Sequence, residues 1–127
     1  MINVLIIDSD LGFVFWLGQA LYAVGFESLP ANNVTEAAGL LDLTRLCIHV
    51  LVARHGTPGV EEFAAELHKA QRGHLRRIAV IEEDECAMSS CWDGLHRKPR
   101  VPDEAAKVKF IRFLQGVLAS RTTSPHT

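Results

Sequence analysis

Hydrophobic and polar positions along this chain alternate between two periods. Residues 2–7, INVLII, form an apolar run rich in β-branched side chains, which predicts a strand buried on both faces. The run stops at Asp8-Ser9-Asp10, with Asp10 placed to cap a helix. From Leu11 the spacing becomes helical: LGFVFWLGQALYAV sets Phe13, Leu17 and Leu21 on one face, and Gly25 is where that helix should end. FESLPA, 26–31, is a second and more polar strand, expected near a sheet edge. Asn33-Val34-Thr35-Glu36 has the spacing of a capping box and opens a helix to about Leu43.

A third apolar run, IHVLVA at 48–53, predicts a third strand with Arg54 and His55 at its mouth. Gly56-Thr57-Pro58-Gly59 is turn chemistry, and EEFAAELHKAQR reads as a helix with Phe63 and Leu67 as its inward pair. RIAVI, 77–81, is the fourth strand; the acids Glu82-Glu83-Asp84-Glu85 follow, then room for one or two helical turns between Cys86 and Trp92. GLHRKP is a weak fifth strand ending at Pro99. From Asp103 to Ser120 the pattern is that of an amphipathic helix, with Val108, Ile111, Leu114 and Leu118 as its expected buried face. Residues 121–127 are expected to be an unordered tail. Strands alternating with helices predict a doubly wound parallel sheet in a three-layer α/β/α sandwich, one domain over 1–120.

Composition narrows the function classes. The 127 residues are 48% apolar and 22% charged with a net charge of −2, so a packed core is expected and neither a nucleic-acid nor an anionic-membrane partner is. No apolar stretch approaches the roughly 20 residues of a membrane span. Met1 leads straight into the first strand without an export signal, and three cysteines suit a reduced, cytoplasmic setting better than a disulfide framework.

The ordered set of strand ends carries a resemblance. Asp8 ends the first strand, Thr57-Pro58-Gly59 follows the third, and Lys98-Pro99 closes the fifth. Over about residues 2–120 this pattern resembles the response-regulator receiver domain. The resemblance implies a flavodoxin-like five-stranded parallel sheet in the order 2-1-3-4-5. It also implies a site at the strand carboxyl ends: two acids that help hold Mg²⁺, an Asp that accepts a phosphoryl group, a hydroxyl after the fourth strand and a Lys after the fifth. Such chemistry needs a nucleophilic carboxylate, a hard cation and a counter-charge for the new anion.

Carried across residue by residue, the pattern is broken. Asp8 matches the first acid, but Ser9 stands at the second, with Asp10 one step beyond. Counting back from Pro58 puts Arg54 at the phosphoacceptor position. A guanidinium stays protonated and cannot take a phosphoryl group in this way. Glu82 replaces the hydroxyl, Glu83 falls where a small residue is usual, Leu95 matches the switch aromatic, and Lys98 is retained. The stretch from Glu82 to Lys98 is shorter than the family's by about one and a half turns at 3.6 residues per turn, which predicts a shortened fourth helix. Arg54 is therefore expected to pair with Asp8 or Glu82 and to fill the metal's space, since Asp8, Arg54, Glu82 and Lys98 together carry no net charge.

The expected function is a stand-alone pseudo-receiver of two-component or phosphorelay signalling. It would be no enzyme, without cofactor or metal, and would bind a histidine kinase, response regulator, adaptor or a second copy of itself. A small-ligand or thiol redox sensor on the same fold is the rival. The remaining features have plainer readings. His55 is expected to be a loop histidine, and Cys86, Cys91 and His96 lack a fourth zinc ligand at a suitable spacing. Cys47 is expected to be buried, and Lys69, Arg72, His74, Arg76 and Arg77 to form a solvated basic surface. Phe15 and Trp16 are expected to cover core rather than to offer a partner surface, although the four adjacent apolar residues Phe13 to Trp16 cannot all face inward.

Overall fold

The computed structural model describes residues 2–71, 73–82 and 91–120. Nine elements follow one another as β1 (Ile2–Ile7), α1 (Leu11–Ala23), β2 (Phe26–Ala31), α2 (Val34–Thr44), β3 (Val50–Arg54), α3 (Val60–Ala70), β4 (Arg76–Ile81), β5 (Gly94–Arg97) and α4 (Glu104–Ser120). The strands form one parallel sheet in the order β2-β1-β3-β4-β5. Among the described residues no helix is long and apolar enough to cross a membrane.

The unbroken apolar runs are explained by what lies on each side of the sheet. Side chains alternate along a strand: Val4, Ile6, Val50, Val52, Ile78 and Val80 meet α1 and α4, whereas Leu5, Ile7, Leu51, Ala53 and Ala79 meet α2 and α3. Two cores share one sheet, so the central strands tolerate no polar position. Each fully buried Val, Leu or Ile contributes about 1.5–3 kcal/mol.

Local signals set the helix starts. Asp10 caps α1 by accepting from the Phe13 N–H. In the capping box of α2, Asn33 Oδ1 accepts from Glu36 N at 2.8 Å, but Glu36 reaches back one residue further than expected, to Asn32 N at 2.9 Å. Gly59, at φ 76°, turns the chain into α3 in a left-handed conformation that disfavours a side chain.

Three expectations are corrected. The third strand runs over Val50–Arg54 rather than 48–53, because the His49 ring intervenes: its Nδ1 accepts from Asn3 N at 3.0 Å, a bond a strand carbonyl would otherwise take. Arg54 is consequently the last residue of the strand. On α4 the deepest residues are Phe110 and Leu114 and not Val108, which is half exposed, while Ile111 and Leu118 lie at the margin. The His96 ring on β5 packs 4.8 Å from Phe110 and 4.9 Å from Phe113, with Phe110 buried and Phe113 partly so. On α3 Ala64 and Leu67 are buried with Val60, and Phe63 is only partly so. The shortened fourth helix, Glu83, Cys86 and the tail at 121–127 lie outside the described residues.

Candidate functional site

Sheet register assembles the site. Ile7 is level with Ala53 and Ile81 with Arg97, so the residues that follow, Asp8 beside Arg54 and Glu82 beside Lys98, emerge together at the carboxyl end of the sheet. Asp8 N donates to Ala31 O at 3.0 Å and Lys98 N to Ile81 O at 2.8 Å, which extends the strand pairing one residue into the site. Asp8 Oδ1 accepts from Asp10 N at 2.9 Å and turns the chain towards α1.

Lys98 is the hub. Its Nζ lies 3.0 Å from Asp8 Oδ2, 3.4 Å from Asp10 Oδ2 and 3.6 Å from Glu82 Oε2, and 4.7 Å from the centre of the Phe13 ring. The Asp8 side chain is 3% exposed and that of Lys98 12%, so this pair is buried. Among the described residues the Lys98 ammonium is the partner that Asp8 Oδ2 has. Asp10 does double duty as helix cap and ion-pair partner. The Phe13 backbone N–H, helped by Lys98, holds its carboxyl below the usual range against the opposing effect of burial.

Arg54 shares Glu82 Oε2 with Lys98, and the place between the carboxylates that was expected for Arg54 is held by Lys98. The Arg54 Nε is 3.3 Å from Glu82 Oε2, and Nη1 donates to the His55 carbonyl. Of the two partners expected for Arg54 it meets Glu82, Asp8 being taken by Lys98. The constellation is also larger than the four-residue set whose charges cancel: with Asp10 included, three carboxylates meet two cations among the described residues. Ser9 stands apart, exposed on the rim of an open hollow of about 650 Å³ lined with Asn32, Asn33, Arg54, His55 and Thr57. His55 Nε2 lies 4.0 Å from Glu61 Oε2.

A divalent ion does not fit this arrangement. Mg²⁺ or Ca²⁺ needs oxygens at about 2.0–2.6 Å around a shared centre, and the centre shared by Asp8, Asp10 and Glu82 is where the Lys98 ammonium sits. Among the described residues no group of three His, Cys, Asp or Glu is arranged for a metal.

Other candidates are dispersed. Cys47 is exposed and not buried as expected, because it lies in the loop before β3 and its Sγ points to Gln71 Oε1 at 3.2 Å. Cys91 is half-buried with its Sγ 3.6 Å from Glu61 O, and burial pushes its thiol pKa up. Within the basic cluster Arg77 is paired with Asp93 at 3.2 Å, and Arg72 lies outside the described residues. Sequence reasoning missed Asp93, which also accepts from Arg77 N at 2.8 Å, and missed Asp10 as a partner of Lys98. The sequence marks Asp10 as a helix cap and as the acid one step beyond the second acid position, but not as a partner of Lys98.

The chain matches no protein-family model and no curated protein sequence. Its structure is similar to that of a response regulator receiver domain protein (CheY-like) from Methanospirillum hungatei JF-1, 18% identical, with a TM-score of 0.72 over 98% of this chain and 99% of that one. The chemotaxis response regulator CheY4 of Vibrio cholerae is 21% identical, with a TM-score of 0.71 over 93% and 99% of the two chains. The receiver domain of the hybrid histidine kinase CckA is 18% identical, with a TM-score of 0.63 over 91% and 98%. The chain has the receiver fold, strand order included.

Proposed function

We propose that this chain is a pseudo-receiver: a receiver-type signalling module of the two-component kind that works by binding protein partners and not by accepting a phosphoryl group. One observation carries the reading. At the end of β3, where the resemblance puts the phosphoacceptor Asp, Arg54 is held against Glu82 at 3.3 Å, while Lys98 occupies the centre of the remaining carboxylates. Two fixed cations thus supply the positive charge that a metal ion would bring, and they cannot dissociate. The module is then neither an enzyme nor a metal sensor, and a cytoplasmic location among kinases, response regulators or adaptors goes with it. At Cys91, the described one of the two thiols the sensor alternative would use, burial makes the group less reactive and not more.

The test is a nuclear magnetic resonance titration with Mg²⁺ followed by beryllofluoride, run beside an Arg54→Asp variant. The expected result is no shift at Asp8, Glu82 or Lys98 in the native chain and Mg²⁺-dependent shifts in the variant. Saturable shifts at those residues in the native chain would overturn the reading.

A further inference from the structure

α1 carries no charged side chain from Leu11 to Ala23. Gln19 is polar and exposed beside the hollow, but the helix is otherwise nearly apolar all round, and such a helix is normally covered all round. Its inner face is covered by the core through Phe13, Trp16, Leu17 and Leu21. Its outer face is bare, with Leu11 70% exposed, Phe15 69% and Tyr22 75%. Their spacing of four and seven residues makes them one stripe along the helix.

Between Phe15 and Tyr22 the stripe is interrupted by Gly18. There the surface falls into a mostly apolar hollow of about 790 Å³ that α1 shares with Ser28 and Pro30 of β2. Even a Cβ on Gly18 would come within 3.3 Å of Ser28 Oγ. The one cation at the rim, Lys107, is paired with Glu104 at 3.1 Å.

We infer that this face pairs with the same face of a second copy of the chain, α1 crossing α1 near Gly18 with Phe15 of each copy seated in the hollow of the other. A two-fold interface requires the projection and the recess to lie on one patch, and here both do. Charge points the same way. An uncharged stripe gives a charged partner nothing to pair with, and two identical uncharged faces meet without repulsion. The exposed edge of β2 is a poorer route to self-association, because Pro30 has no N–H to donate across it.

The area sets the strength. With a large side chain burying roughly 150–250 Å², the three exposed residues cover on the order of 400 Å² per copy. That is half of the roughly 800 Å² per partner in a standard interface. The dimer is therefore weak, with a dissociation constant in the micromolar range or above. This inference does not depend on the reading of the strand-end site.

Sedimentation velocity from low micromolar to near-millimolar protein tests it, with Phe15→Asp and Tyr22→Asp beside the native chain. Circular dichroism checks that both exposed-site variants fold. The native chain should pass from monomer to dimer over that range, and each variant should weaken the dimer by more than about tenfold, as expected for aromatic residues at the centre of an interface. A native chain that stays monomeric throughout overturns the inference and leaves the stripe to a foreign partner. A dimer that survives both substitutions overturns it too, by placing the interface elsewhere.

Discussion

The two cations of the strand-end site are not equivalent. Lys98 and Asp8 are nearly out of solvent at 12% and 3% exposure, so removing the ammonium leaves a buried carboxylate without compensation. Lys98→Ala should cost about 3–5 kcal/mol, read as a fall in the urea midpoint at neutral pH. Replacing both partners by well-packed apolar residues, Asp8→Leu with Lys98→Met, should recover much of that loss. The Arg54–Glu82 pair is 25% and 51% exposed, so Arg54→Ala should cost at most about 1 kcal/mol. A larger loss for Arg54 than for Lys98 would mean that this ordering is wrong. The sequence made Asp8, Arg54, Glu82 and Lys98 neighbours through the order of strand ends, but it could not say who pairs with whom. That choice depends on reach: Lys98 lies over Phe13 and reaches Asp8, Asp10 and Glu82, and Arg54 meets only the last of these. The sequence marks Asp10 as a helix cap and a displaced second acid, and its contact with Lys98 depends on side-chain reach that the sequence does not show.

At the scale of elements, the seam between β5 and α4 rests on an imidazole. His96 stands between Phe110 and Phe113, and burial, with Lys109 adding to it, holds its pKa below the usual 6.5. The neutral ring is thus the native form, and on acidification the unfolded chain takes up the proton first. This contribution to stability is fully present above pH 6.5 and is lost as pH falls through the depressed native value. We expect the urea midpoint to drop on acidification below that pH, and His96→Leu to shrink the drop. An unchanged slope in the variant would assign the acid sensitivity to other groups. The same seam is tightly packed, since a Cβ on Gly94 would come within 2.9 Å of Phe113 Cζ. Gly94→Val should therefore destabilise by about 1–3 kcal/mol through overpacking, measurable by the same titration. The helical pattern of α4 placed Leu114 inside but gave no sign of the His96 contact or of Phe110. Of the expected face Leu114 is buried and Ile111 and Leu118 pack at the margin, but Val108 gives way to Phe110, whose ring meets His96 edge-on. The strands were easier, because burial on both sides leaves a continuous run that no helix face imitates. The start of β3 slipped by two residues only because a His49 side chain substitutes for a strand carbonyl.

At the scale of the whole molecule, the receiver fold brings charged strand ends to one rim whatever their identities, and the identities decide whether that rim responds to a ligand. Folding energy that depends on a bound ion appears as a shift of the melting temperature with ion concentration, by RT ln(1 + [L]/Kd). In the native chain Lys98 and Arg54 are covalent parts of the site, so Mg²⁺ and a chelator should give the same melting curve. Arg54→Asp removes one cation and adds a fourth carboxylate at the β3 end, leaving Lys98 outnumbered. The variant should gain Mg²⁺-dependent stability of about 1.4 kcal/mol when the ion is in tenfold excess over its dissociation constant, a rise of about 3–6 °C for a domain of this size. Ca²⁺ should act in the same direction, because the attraction is one of charge and oxygen ligands. If the native chain already melts higher in Mg²⁺, then Lys98 yields its place to the ion and the two cations do not stand in for it. If neither chain responds, Lys98 alone blocks the centre, and Lys98→Met in the Arg54→Asp background is the variant in which an ion response should appear.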